Sequence, residues 1–166
     1  MNMIDQSIFL RKYQASDFAD YYQMVSDEAV MKYITEKALS EAEAREKFDS
    51  MLQINAKHER LGYFKVYDHK DTFIGDCKLE FYPLDTRCLE VGYILKEAFW
   101  GKGLATRLCA QMLALADEVA PEMAIIGIID PANTASKRIL QKFGFESYFV
   151  GMEDDLPTEK LRLAKA

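Results

Sequence analysis

Two glycines, Gly101 and Gly103, stand where an apolar strand signal gives way to an amphipathic helix, and no other stretch narrows the possible folds as far. Through Phe99-Trp-Gly-Lys-Gly-Leu-Ala-Thr106 the chain must turn out of a strand over 88–95. It then enters a helix over 103–119, whose Leu104, Leu108, Met112, Leu115 and Val119 share one face. The leading N–H groups of a helix have no internal partner, and the helix dipole adds positive potential. Bare backbone at this point therefore makes a seat for phosphate oxygens. After Pro121 the apolar run 123–129 reads as another strand, and a strand-helix-strand crossover makes its two strands parallel neighbours.

Residues 7–13 read as an opening strand. A helix over 15–26 comes next, with Phe18, Tyr21, Tyr22 and Val25 at helical spacing and Ser16 or Asp17 as its cap. Ser40-Glu41-Ala42-Glu43 has the form of a capping box and opens a second helix, and 27–39 between them reads as irregular. Strand signals at 62–67, 72–81 and 88–95, separated by turn formers, predict an antiparallel meander. Asn133 caps a helix over 133–143 that Gly144 ends in a left-handed conformation. Strands at 146–151 and 160–164 close the chain around an acidic turn at 153–155.

The 166 residues, 49% of them hydrophobic and 12% aromatic, fill one core without repeat or linker, which predicts a single domain over 1–166. A net charge of -6 leaves no basic face for nucleic acid and fits a cationic or amine-bearing partner. Cys77, Cys88 and Cys109 have no Cys-x-x-Cys spacing, and His58 and His69 are the only histidines. The expectation is reduced thiols, no metal site and a cytoplasmic setting. Residues 1–14 show no long apolar run, and no stretch is long enough to span a bilayer, so no membrane partner is expected.

The glycine turn lacks the Gly-Lys-Ser/Thr ending of a nucleotide P-loop and the third glycine of a dinucleotide fingerprint. Its neighbours along the chain give it meaning. Val91-Gly-Tyr-Ile-Leu95, Trp100-Gly-Lys-Gly-Leu-Ala105, Asn133-Thr-Ala-Ser136 and Lys142-Phe-Gly-Phe145 occur in that order. With these motifs the chain resembles the GNAT N-acetyltransferases over nearly its whole length, especially the branch that includes the ribosomal-protein N-terminal acetyltransferases. Trp100 takes the place of the family's Arg or Gln, a departure common in that branch.

The resemblance implies an α/β GNAT fold: a mixed, mostly antiparallel sheet of six or seven strands flanked by about four helices. It implies acetyl-coenzyme A as co-substrate, held between splayed strands ending near Leu95 and Ile129. Pyrophosphate would rest on Gly101, Lys102, Gly103, Leu104, Ala105 and Thr106. The pantetheine arm would pair with backbone at Tyr93, Ile94 and Leu95, and Asn133 would add a side-chain hydrogen bond. The reaction implied is transfer of acetyl to a primary amine, of a peptide or a small molecule, in a ternary complex. Monomers and homodimers are both ordinary for the family.

Acetyl transfer to an ammonium requires a proton acceptor, a polarised thioester carbonyl and a stabilised leaving thiolate. Glu90 opens its strand at the point where several family members carry a base, and Glu80 on the preceding strand is its rival. A backbone N–H near Ile94 would polarise the carbonyl. Many relatives use a tyrosine of the last helix as acid, but Leu140 holds that position, which leaves Ser136 or water for the role. The missing tyrosine keeps open a second reading, a non-catalytic module that binds or senses acyl-coenzyme A.

Overall fold

Alternating side chains build four successive antiparallel neighbours, β1 (Ile8–Lys12), β2 (Gly62–Asp68), β3 (Phe73–Phe81) and β4 (Cys88–Leu95), in a computed structural model that describes residues 7–165. β5 (Ala124–Ile129) runs parallel to β4. With β6 (Glu146–Glu153) and β7 (Leu156–Leu163) it completes one seven-stranded sheet ordered β1-β2-β3-β4-β5-β7-β6. This is the mixed, mostly antiparallel sheet expected, with seven strands. Residues 1–6 and 166, which the one-domain expectation includes, lie outside the described residues.

Among the described residues five α-helices flank the sheet where about four are expected: α1 (Phe18–Val25), α2 (Glu28–Met31), α3 (Glu41–Lys57), α4 (Leu104–Val119) and α5 (Thr134–Lys142). The extra one is α2, a single turn inside the segment read as irregular. Asp27 Oδ1 accepts from Ala29 N and Val30 N and so caps it, but four residues are too few to show a period. The Ser40 capping box is present, with Glu43 N donating to Ser40 Oγ and Ser40 N to Glu43 Oε1.

The closing strand begins at Leu156, four residues before the expected start at 160. Asp154 and Asp155, both at positive φ, make a two-residue turn that brings Leu156 straight back against Glu153. A proline at 157 argues against a strand on sequence grounds. β5 pairs with β7 only from Glu159 onward, so the missing N–H of Pro157 breaks no ladder bond to that strand.

The two faces of the sheet carry separate cores. Leu79, Leu89, Val91 and Leu95 pack with Leu104, Leu108 and Met112 of α4 and with Leu140 of α5. On the other face Tyr63 and the partly buried Ile94 pack with Val25, Val30, Phe48 and Met51 from α1, α2 and α3. Lys65 Nζ, buried under α1, reaches Asp17 Oδ1 at 3.1 Å and Asp20 Oδ2 at 2.8 Å and fixes that helix on β2.

Pairing between β4 and β5 runs from Cys88 with Ala124 to Val91 with Gly127 and then stops. Beyond it Ile128 and Ile129 continue to pair with β7, while Gly92–Leu95 stay with β3. The sheet therefore splits at its centre, and the split positions the site.

Candidate active site

The split leads into a cleft of about 510 Å³. One wall is the turn into α4. Gly101 (φ 71°) and Gly103 (φ 77°) both hold left-handed backbone that side chains disfavour, and a Cβ at either would meet no protein atom within 4 Å. No side chain caps α4 at Gly103, so its first turn faces open space with only backbone to offer. Gly101, Gly103, Leu104, Ala105 and Thr106 all line the cleft. Lys102 does not; its Nζ stands 5.6 Å from the centroid of the Phe99 ring.

The free end of β4 supplies Tyr93, Ile94 and Leu95. Trp100, half exposed, turns its indole back so that Nε1 donates to the Leu95 carbonyl at 2.8 Å. It therefore occupies one acceptor on the strand that the resemblance assigns to the pantetheine arm, a contact that spacing alone does not reveal. Opposite, Asn133 Oδ1 accepts from Ser136 N and caps α5, which leaves its Nδ2 as the donor for a ligand. Tyr93 Oη donates to Ser136 Oγ at 3.2 Å, and burial keeps the phenol above its ordinary range against the opposing effect of that hydrogen bond. Leu140, the position at which the resemblance leads to an expected tyrosine, is buried against Gly127 and offers no polar group.

Glu90 is not among the cleft-lining residues. It is buried on the α1–α3 side of β4 and directly opposite Glu80 in register. Like charges there would repel, but Lys78 Nζ lies 2.6 Å from Glu90 Oε2 and 3.5 Å from Glu80 Oε1. Burial lowers the Lys78 ammonium, yet Tyr63, Glu90 and Glu80 together hold it above its usual range. Tyr63 Oη donates to Glu80 Oε1 at 3.4 Å and accepts from Lys47 Nζ at 3.2 Å. The rivals are thus two members of one buried network.

Asp76 belongs to the same face and was missed in the sequence. It sits opposite Ile94 in register, accepts from Tyr13 Oη at 2.9 Å, and is pushed up to about 7 by burial, against the Tyr13 hydrogen bond and the charges of Lys47 and Lys78. Its signal there is the alternation of Asp76, Lys78 and Glu80 along one strand, which reads equally well as a solvated face.

Cys77, Cys88 and Cys109 are buried free thiols. Among the described residues no cluster of three or more His, Cys, Asp or Glu could hold a metal, and no helix is long and apolar enough to cross a membrane.

Comparison with known proteins accounts for this arrangement. The family model for the acetyltransferase (GNAT) domain matches residues 7–146, and the chain belongs to that family. An uncharacterized N-acetyltransferase of Bacillus subtilis, YnaD, is 24% identical over 152 residues, covering 90% of this chain and 86% of its own. The spermidine N-acetyltransferase of Vibrio cholerae, solved with CoA and spermine, shares the fold at a TM-score of 0.76 and 18% identity, over 94% of both chains. The aminoglycoside acetyltransferase AAC(6')-Ib, solved with coenzyme A and kanamycin, does so at 0.77 and 19%, over 95% of both.

Proposed function

We propose that this chain is an acetyl-coenzyme A-dependent N-acetyltransferase acting on a primary amine in a ternary complex. The observation that carries the reading is the coincidence of the split between β4 and β5 with an uncapped helix start behind two glycines whose open side no protein atom fills. A pyrophosphate on the N–H groups of residues 101–106 satisfies that helix start, and pantetheine amides satisfy the strand edge at Tyr93, whose backbone groups point away from β3. Asn133 Nδ2 adds a donor. The resemblance to the ribosomal-protein branch rests on Trp100 and the Asn133–Phe145 motif and belongs to the same proposal, as do the single domain and the cytoplasmic setting.

When bound, acetyl-coenzyme A supplies the activated acetyl group. The Leu95 N–H, beside Ile94 and turned to the open edge of β4, polarises the thioester carbonyl as a fixed donor. Glu90, reached through water, takes the proton from the incoming ammonium, and the free amine then attacks the carbonyl carbon as the carbon–sulfur bond breaks. Ser136 gives its hydrogen to the departing sulfur, and the second proton, shed by the newly acylated nitrogen, returns through water to Ser136 Oγ. Because Tyr93 donates to Ser136 Oγ, the Ser136 O–H remains available for that task.

Leu140 in place of the tyrosine favours the second reading, an acyl-coenzyme A-binding module without turnover. Thiol release from acetyl-coenzyme A across an amine panel, with coenzyme binding measured by calorimetry, separates the two. Amine-dependent release supports the enzyme, and binding with no release supports the module.

A further inference from the structure

Resting on the transferase reading, we propose that the acceptor is an amine with one ammonium group borne on an apolar alkyl or aryl substituent, and that polycations are poor substrates. The cleft has two sides. The glycine turn, Asn133 and Ser136 belong to the side covered by α4 and α5, which the coenzyme fills under that reading. Ile94 faces the other side, where the amine must enter, and the wall there comes from α2 and the residues just after it: Ala29, Val30, Tyr33 and Ile34.

That wall carries no charge. No Asp or Glu lines the cleft among the described residues, and its one charged side chain is Arg138 of α5, on the coenzyme side. A polycation entering here would strip water from a second ammonium with no carboxylate to receive it, a costly burial. The nearby buried acids do not supply one. Glu80 and Glu90 share Lys78, and Asp76 is bound by the Tyr13 hydroxyl beneath Ile94. Glu28 and Glu36 lie on the same segment but outside the lining. The net charge of -6 therefore does not reach the acceptor wall. Apolar surface at Val30, Ile34 and Ile94 instead rewards an acceptor that buries hydrocarbon against it.

The test is initial-rate thiol release from acetyl-coenzyme A with phenethylamine, hexylamine, a Leu-initiated peptide amide, spermidine and kanamycin. The expected result is kcat/KM for at least one apolar monoamine about tenfold or more above that for either polycation. Phenethylamine and the peptide distinguish a free amine from a chain terminus as the source of the same chemistry. In Ile34→Glu the ratio should narrow, through a higher KM for the monoamine and a lower one for spermidine. Equal or better use of spermidine or kanamycin by the unaltered protein overturns the proposal and leaves the transferase reading standing. Release with no amine at all, despite coenzyme binding by calorimetry, overturns both.

Discussion

The Tyr93 hydroxyl, on the free end of β4, donates to Ser136 Oγ in the first turn of α5 at 3.2 Å. This hydrogen bond joins two hydroxyls that line the cleft, one from the strand and one from the helix.

If the pair acts as a unit, Tyr93→Phe and Ser136→Ala each lower the rate of thiol release by about tenfold or more, and the double variant is little worse than either single one. Coenzyme affinity measured by calorimetry should be unchanged in all three. Fully multiplicative losses in the double variant would show that the two hydroxyls act separately.

Gly103→Val tests the phosphate seat. The fold has room for the new side chain, but φ at 77° strains a β-branched residue, so a loss of about 1–2 kcal/mol in urea unfolding is expected. The side chain projects into the space a phosphate needs, and coenzyme affinity should fall by far more than the fold's loss explains. Unchanged affinity would remove this turn from the coenzyme site.

Glu90→Gln separates catalysis from scaffolding. Turnover should drop about a hundredfold, most visibly on the acidic limb of the pH profile, with coenzyme affinity retained. Lys78→Met is the complementary variant: it leaves Glu80 and Glu90 buried and opposed, so a stability loss of about 3–5 kcal/mol is expected by urea unfolding.

Asp76 gives the fold a pH dependence of unusual sign for a carboxylate. Its native pKa of about 7 lies above its ordinary value of 3.8, so the folded state holds the proton more tightly than the unfolded one. Its contribution is full below about pH 4, declines as pH rises, and is lost once pH passes about 7. Tyr13, just after β1, surrounds it together with Tyr21 of α1, Lys47 of α3, Lys78 of β3 and Lys65 of β2. Asp76→Asn should flatten the stability difference between about pH 5 and about pH 8, read by urea unfolding at both. A wild-type difference that survives in the variant would place its origin elsewhere.

The motifs along the chain locate most of the cleft, because a glycine turn and a helix cap are local events written in adjacent residues. Gly101, Gly103, Asn133 and Ser136 are readable for that reason. α2 is not, since one turn has no period, and the start of β7 is hidden by Pro157. The network of Asp76, Lys78, Glu80 and Glu90 is the least legible part. Each strand shows only alternation, and which residues meet depends on register and on which face α3 covers. The Trp100 contact with Leu95 is equally beyond reach, as it depends on how the turn folds the indole back.

Where β4 and β5 part, the sheet forgoes ladder bonds that further pairing would have made. Under the proposed reading, amide groups of the donor's arm take up that bonding capacity, so the protein weighs the carrier as much as the acyl group. A simple thioester without amides would find strand groups it cannot answer. Under that reading the break in the sheet acts as a check on the acyl donor's credentials.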